Sequence, residues 1–302
     1  MWPHVFIDPF CMKRYRIVHM TTYGFTDTVS PCKAEAHLIP RNLPHQHCEF
    51  HQLVIRPLAE VRHRWEDTFG NHVSYFEISE PHLKLEVTAI SVVQVDLSAI
   101  PPKEIPSPWD EVSRRLENVE SKDVLEARQF VADSKCVKTS SELADYARVS
   151  FTQGRPILEA THHLMQRIHE EFTYDPSSTT ISTSPKDVLR QRRGVCQDFA
   201  HLAIGCLRSL ELAARYVSGY LDTAALRGPD HVIASDASHA WFSVFDPKFG
   251  WVDFDPTVGR MPPDGYITTA WGRDYADVTP LKGTFTGGGP HSVKVSVDVA
   301  RV

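Results

Sequence analysis

The stretch Arg192-Arg193-Gly194-Val195-Cys196-Gln197-Asp198-Phe199-Ala200-His201-Leu202 decides how the rest of the chain is read. From Phe199 onward, Phe199, Leu202, Ala203, Cys206, Leu207 and Leu210 recur at helical spacing, the stripe of a helix packed on a core. Cys196 stands one turn earlier, so its side chain begins on the same inward face. Gly194 marks a place for a sharp turn or a close approach. A thiol at a helix start meets unpaired N–H groups and the positive end of the dipole, which favour thiolate. The dipole contributes about 0.3–1 kcal/mol, less than one pKa unit at about 1.36 kcal/mol per unit. A histidine must supply the rest.

The 302-residue chain is long enough for two domains, and 42% hydrophobic with 23% charged residues excludes disordered and collagen-like classes. Lys+Arg 32 against Asp+Glu 38 gives a net charge of -6 without long runs of one sign, so neither nucleic acid nor membrane is an expected partner. The cysteines at 11, 32, 48, 136, 196 and 206 are scattered with no C-x-x-C pair, which suits free thiols in a reducing compartment. No stretch approaches the roughly 18 apolar residues of a spanning helix, and the N-terminus lacks a basic region followed by an apolar one. A cytoplasmic location is the default expectation. Met12-Lys13-Arg14-Tyr15 reads as a start before a strand, leaving 1–11 as a disordered extension or the product of a misplaced start codon.

From Tyr15 to Leu97 the texture is β. Leu83, Leu85, Val87 and Ala89, then Val93, Val95 and Leu97, keep one parity, and Phe69-Gly70-Asn71-His72 reads as a turn. The expectation is an N-terminal antiparallel β-sandwich-like domain over 12–100. His45, His47, Cys48 and His51 could bind a transition metal, but their spacing fits no zinc pattern and a polar surface loop is the simpler reading. Pro101, Pro102, Pro106 and Pro108 define a linker at 101–108, followed by a catalytic domain over 109–302.

Past the linker the period becomes helical: Val112, Leu116 and Val119, then Val124, Ala127 and Val131, then Leu158, Thr161, Met165, Ile168 and Phe172 after Pro156. His162, His163 and His169 on these helices read as solvated or core-edge residues. Ser184-Pro185-Lys186-Asp187 starts a short helix that runs through Val188 to Gln191 and leads to the cysteine loop. Beyond the Cys196 helix, strands are expected over 215–221, 239–245, 251–255 and 291–302, with Asp246-Pro247-Lys248-Phe249-Gly250 as a hairpin turn. A cysteine-bearing helix packed on an antiparallel sheet is an α+β layout.

Cysteine catalysis needs a base within hydrogen-bond reach of sulfur and a third group to orient that base. His239 opens one expected strand and Asp255 closes its hairpin partner, so the two can be neighbours and complete a Cys196, His239, Asp255 set. Asp253 is the runner-up for the third position. Asp198 reads as a charge on the first helical turn, His201 as a packed helix residue, Cys206 as core, and Trp241 and Trp251 as core or cleft walls. Gly283 and Gly287 to Gly289 form no phosphate loop, because no Gly-Lys-Ser/Thr follows.

Three segments in order carry a resemblance: Gly194-Val195-Cys196-Gln197-Asp198-Phe199-Ala200-His201-Leu202, His239-Ala240-Trp241, and Gly250-Trp251-Val252-Asp253-Phe254-Asp255-Pro256-Thr257. Together they resemble the motifs of the transglutaminase-like superfamily. Gly272 to Val278, Gly287-Gly288-Gly289-Pro290-His291 and the β-rich region 12–97 resemble its bacterial cysteine-protease branch. The resemblance implies a papain-like core with Cys196 as nucleophile, His239 as base and then acid, and Asp255 as orienter. Neither cofactor nor metal is implied, since nothing matches the calcium sites of the long eukaryotic members.

The implied reaction is acyl transfer through a thioester on an amide or peptide bond, with a protein or peptide substrate. A hydrolase is favoured over a crosslinking transglutaminase, and a vestigial interaction module is the reading from a different class. The backbone N–H of Cys196 is the expected first oxyanion donor; Gln191, Tyr174 and the Trp241 indole stay open for the second.

Overall fold

The computed structural model describes residues 12–96, 105–118, 121–222, 238–262 and 265–302. Residues 1–11, Leu97, Pro101, Pro102 and Val119 lie outside them. The fold is α+β, as the periodicities imply.

The N-terminal part is organised by β1 (Met12–Ala36), followed by β2 (Gln46–Arg56), β3 (Val61–Glu66), β4 (His72–Ile78) and β5 (His82–Asp96). All pairings are antiparallel, in the order β2-β5-β1-β4-β3. The single-parity run becomes the inward face of β5, with Leu85, Val87, Ala89, Val93 and Val95 buried, although Leu83 is exposed. Side chains from β1, β2, β4 and β5 meet in one apolar cluster that includes Val29, Leu53, Ile55, Phe76 and Val87, so the sheet curls around its own core. The Phe69 to His72 turn joins β3 to β4, with Gly70 at φ 71, a left-handed conformation that favours glycine.

The helices follow: α1 (Trp109–Glu117), α2 (Lys122–Arg128), α3 (Ser141–Arg148) and α4 (Ile157–Glu171). A two-residue strand β6 (Thr173–Tyr174) precedes α5 (Pro185–Gln191), and the parallel β7 (Arg193–Gly194) precedes α6 (Cys196–Arg208). Ser184 caps α5 by accepting the Asp187 N–H at 3.3 Å, with Pro185 in the first turn. Every residue of α6 from Asp198 to Arg208 is buried, so the apolar stripe is only part of a helix enclosed on all sides. Its buried charge Arg208 donates to the Ser134 hydroxyl and to the carbonyls of Ala214 and Arg273.

The helix α6 packs on a four-stranded antiparallel sheet in the order β10-β9-β8-β11, formed by β8 (Ala214–Leu221), β9 (His239–Asp246), β10 (Gly250–Phe254) and β11 (Tyr266–Gly272). Three of these strands follow the sequence reading. The fourth, β11, does not, because Tyr266-Ile267-Thr268-Thr269-Ala270-Trp271 lacks clean alternation: residues 266–270 are all buried. After α7 (Tyr275–Val278) the chain returns to the first sheet, where β12 (Leu281–Gly287) and β13 (His291–Arg301) both pair with β1.

Two sequence expectations meet the tertiary structure differently. The run 281–301, grouped by sequence with the catalytic part, completes the N-terminal sheet; Val293 and Val295 are exposed there and Val297 is buried. At the end of the Pro-rich segment, Ser107 is buried and donates from its N–H and Oγ to Asp246 at 2.9 and 3.1 Å, pinning the chain to the β9–β10 turn. The sheets also meet directly, with Tyr15, Ile17, Val93 and Val95 packed against Tyr220 and Ile267. Among the described residues, no helix is long and apolar enough to cross a membrane.

Candidate active site

Cys196 is the first residue of α6 and is half-buried. Two features fix that helix start. The buried Asp198 accepts the Val195 N–H at 2.9 Å and the Thr179 hydroxyl at 2.6 Å, so a carboxylate closes the first turn. Its burial raises its pKa, and the two hydrogen bonds oppose that rise. Gly194 is required for space: a β-carbon there would lie 2.8 Å from Cβ of Asp198 and 2.9 Å from its Oδ2.

His239 opens β9 and is 3% exposed. Its Nε2 lies 2.6 Å from Oδ2 of Asp255, which follows β10 and is fully buried. Burial alone would lower the His239 pKa, but the charge and hydrogen bond of Asp255, with Cys196 adding to them, raise it to about 10. Cys196 is among the groups that act on the ring, and the other ring nitrogen, Nδ1, completes no hydrogen bond.

Asp255 is held from both oxygens. Oδ2 accepts Nε2 of His239 and the Tyr266 hydroxyl at 2.7 Å, while Oδ1 accepts the backbone N–H groups of Thr257 at 2.8 Å and Val258 at 3.3 Å. Burial works to raise its pKa; the His239 charge and these hydrogen bonds outweigh that and hold it below the ordinary 3.8. The 255–260 turn is closed by the Gly259 and Arg260 N–H groups on the Asp255 carbonyl. It is braced from α4: Gln166 Nε2 donates to the Gly259 carbonyl at 2.6 Å, and Nδ1 of His169 lies 3.1 Å from the Thr257 carbonyl.

The structure therefore brings Cys196, His239 and Asp255 together. It separates Asp253, which accepts the Trp241 indole N–H at 3.0 Å and the Ser243 hydroxyl and does not reach His239. That commitment also removes the buried Trp241 indole from the candidate oxyanion donors. Gln191 is exposed on the last turn of α5. Tyr174 pairs with Gly194 and is raised to about 12 by burial, with Cys196 and Asp198 adding to the shift. His169 is exposed, in keeping with a solvated residue, and its ring also supports the acid's turn. His201 accepts the Tyr275 N–H at 3.1 Å, as a hydrogen-bonded helix residue would.

Sequence reading missed Tyr266 and Gln166. Tyr266 sits on the unassigned strand β11, whose β-branched and aromatic residues were the available signal. Nothing local marks Gln166. The His45, His47, Cys48, His51 group belongs largely to β2, a strand and not a loop, with a bulge between Cys48 and Phe50. Among the described residues, no cluster of His, Cys, Asp or Glu could hold a metal ion.

A central helix with a cysteine at its start, laid over an antiparallel sheet carrying a bonded His–Asp pair, defines a papain-like class of fold. Residues 144–256 match the profile of the transglutaminase-like superfamily, and residues 15–94 match the bacterial transglutaminase-like N-terminal region. The chain belongs to the transglutaminase-like superfamily. An uncharacterized protein of Mycobacterium tuberculosis is 42% identical over 296 residues, covering 95% of this chain and 92% of that one. A protein-glutamine gamma-glutamyltransferase of Pseudomonas aeruginosa is 29% identical over 124 residues, covering 40% of this chain and 18% of that protein. The crystal structure of a candidate cysteine protease from Cytophaga hutchinsonii superposes with a TM-score of 0.73 at 21% identity, covering 97% of this chain and 91% of that one, which shows the shared fold.

Proposed function

We propose that the protein is a cysteine-nucleophile acyl-transfer enzyme that opens amide or peptide bonds through a thioester on Cys196, with water as the acceptor. The observation that carries this reading is a buried His239, acted on by Cys196, whose Nε2 is held at 2.6 Å by a fully buried Asp255. The raised imidazole favours the protonated ring at neutral pH, the form that can give a proton to a leaving amine.

The thiolate attacks the carbonyl carbon, and the negative charge moves to the carbonyl oxygen. The first N–H groups of α6 have no intrahelical acceptor, so the Cys196 N–H is the first oxyanion donor. The Tyr174 hydroxyl is the second in this proposal, supported by its pairing with Gly194 and the influence of Cys196 on it. His239 then gives its proton to the leaving amine as the C–N bond breaks. Now neutral, it takes a proton from water, the hydroxide enters the thioester carbonyl, and Cys196 departs as thiolate. The substrate class is a protein or peptide.

A primary amine in place of water would give crosslinking, a reading favoured by the likeness to the Pseudomonas gamma-glutamyltransferase. Cys196→Ala should abolish turnover of a peptide library and lose the rapid iodoacetamide labelling of the native protein; activity surviving in that variant would overturn the proposal. Adding an amine acceptor separates the two outcomes, since hydrolysis leaves a free carboxylate and crosslinking leaves a new amide.

A further inference from the structure

A second site lies in the N-terminal sheet and does not depend on the acyl-transfer reading. The strands β2 and β3 end the pairing path, and where the sheet curls a cavity of about 290 Å³ opens between them, lined by Leu53 and Ile55 on one side and Arg62, His63, Arg64, Ser74 and Tyr75 on the other. Register sets which side chains face it. Arg62 pairs with Phe76 and Arg64 with Ser74, and directly opposed residues of an antiparallel pair share a face. Phe76 and Ser74 are 0% and 4% exposed, so this is the inward face of the sheet, with Arg62 and Arg64 exposed at its edge strand.

Polar groups in the cavity and beside it lack partners. The Ser74 hydroxyl is buried and has no hydrogen-bond partner. His51, on the same strand face as Leu53 and Ile55, has Nδ1 2.9 Å from the Ser91 hydroxyl and a buried Nε2 without a partner. Burial lowers the His51 pKa to about 4, with Arg64 and His72 adding to the effect, so the ring is neutral and one nitrogen can donate. Among the described residues neither Arg62 nor Arg64 forms an ion pair. The acid of β3, Glu66, is 3.5 Å from His72, and Glu77 is engaged by Tyr75 and Lys33. Two unpaired guanidinium groups in a protein of net charge -6, above a buried hydroxyl lacking an acceptor, are the complement of an oxyanion. Leu53 and Ile55 add an apolar wall.

We infer that this cavity binds a small anionic ligand, a carboxylate or phosphate head on an apolar stem, with the head on Arg62, Arg64 and Ser74 and the stem along Leu53 and Ile55. Octanoate and inorganic phosphate are the probes, titrated into the full chain and followed by amide shifts in NMR. Octanoate should shift amides of β2, β3 and β4 and bind at least tenfold more tightly than phosphate. The double variant Arg62→Gln/Arg64→Gln should weaken it tenfold or more while leaving Cys196 alkylation unchanged, which shows the variant folded. Competition by phosphate at equal affinity would support the oxyanion head and overturn the apolar stem. Absence of shifts with both probes, or affinity indifferent to the two arginines, overturns the site.

Discussion

A β-carbon placed on Gly259 would lie 2.6 Å from Cδ2 of His169, so the turn that presents Asp255 is seated directly on a histidine of α4. Gly259 also has φ +71, where L side chains are strained. Gly259→Ala should therefore cost roughly 1–2 kcal/mol from conformation alone, with the contact added, and should slow Cys196 alkylation because Asp255 and His239 shift with the turn. Chemical unfolding and iodoacetamide kinetics test this together. Unchanged alkylation in a destabilised protein would mean that the brace does not reach the site.

Tyr266→Phe removes one donor from a buried carboxylate without changing the ring. Hydrogen bonds to charged groups contribute about 1.5–3 kcal/mol, so a loss of that size is expected in urea unfolding at neutral pH. The Asp255 pKa should rise, since the Tyr266 hydroxyl is among the groups holding it down. A neutral substitution would show that Tyr266 is only a wall of the cleft.

Stability should depend on pH through His239 and Asp255 in opposite senses. His239 keeps to about pH 10 a proton that the unfolded chain releases near 6.5, so its contribution is full below 6.5 and is lost as pH rises towards 10. Asp255 lies below its ordinary 3.8, so its contribution is present above that value and is lost as pH falls through the lower folded pKa. Urea midpoints should decline from pH 6.5 to 10 in the native protein and much less in His239→Gln. An equally steep decline in the variant would assign the effect elsewhere.

Gly194→Ala tests the helix start. The added methyl group would collide with the Asp198 carboxylate, displacing it from the Val195 N–H, and loss of an N-terminal cap costs about 0.5–2 kcal/mol. Scanning calorimetry should show that loss, accompanied by slower Cys196 alkylation.

The two cysteines of α6 should differ sharply in labelling. Cys206 is fully buried, and burial pushes its thiol well above the ordinary range. In native protein, peptide mapping after brief iodoacetamide exposure should find Cys196 modified and Cys206 intact, with Cys206 reacting only after denaturation. Equal labelling would place Cys206 in a more open environment.

By itself the sequence determined the helix that begins at Cys196, the hairpin that holds His239 and Asp255, and the family to which their ordered motifs point. Those features are local, because a helical stripe, a turn signal or a motif is written within a dozen or so residues. The tertiary structure decided which carboxylate serves His239. Asp253 and Asp255 share a strand parity, and only the positions of Trp241 and Ser243 show that Asp253 is engaged elsewhere. It also decided that Tyr266, Gln166 and His169 support the site, and that 281–301 closes the first sheet along β1. Periodicity reveals that a face is buried. It does not name the partner across it, because contacts between distant segments are set by how the whole chain packs.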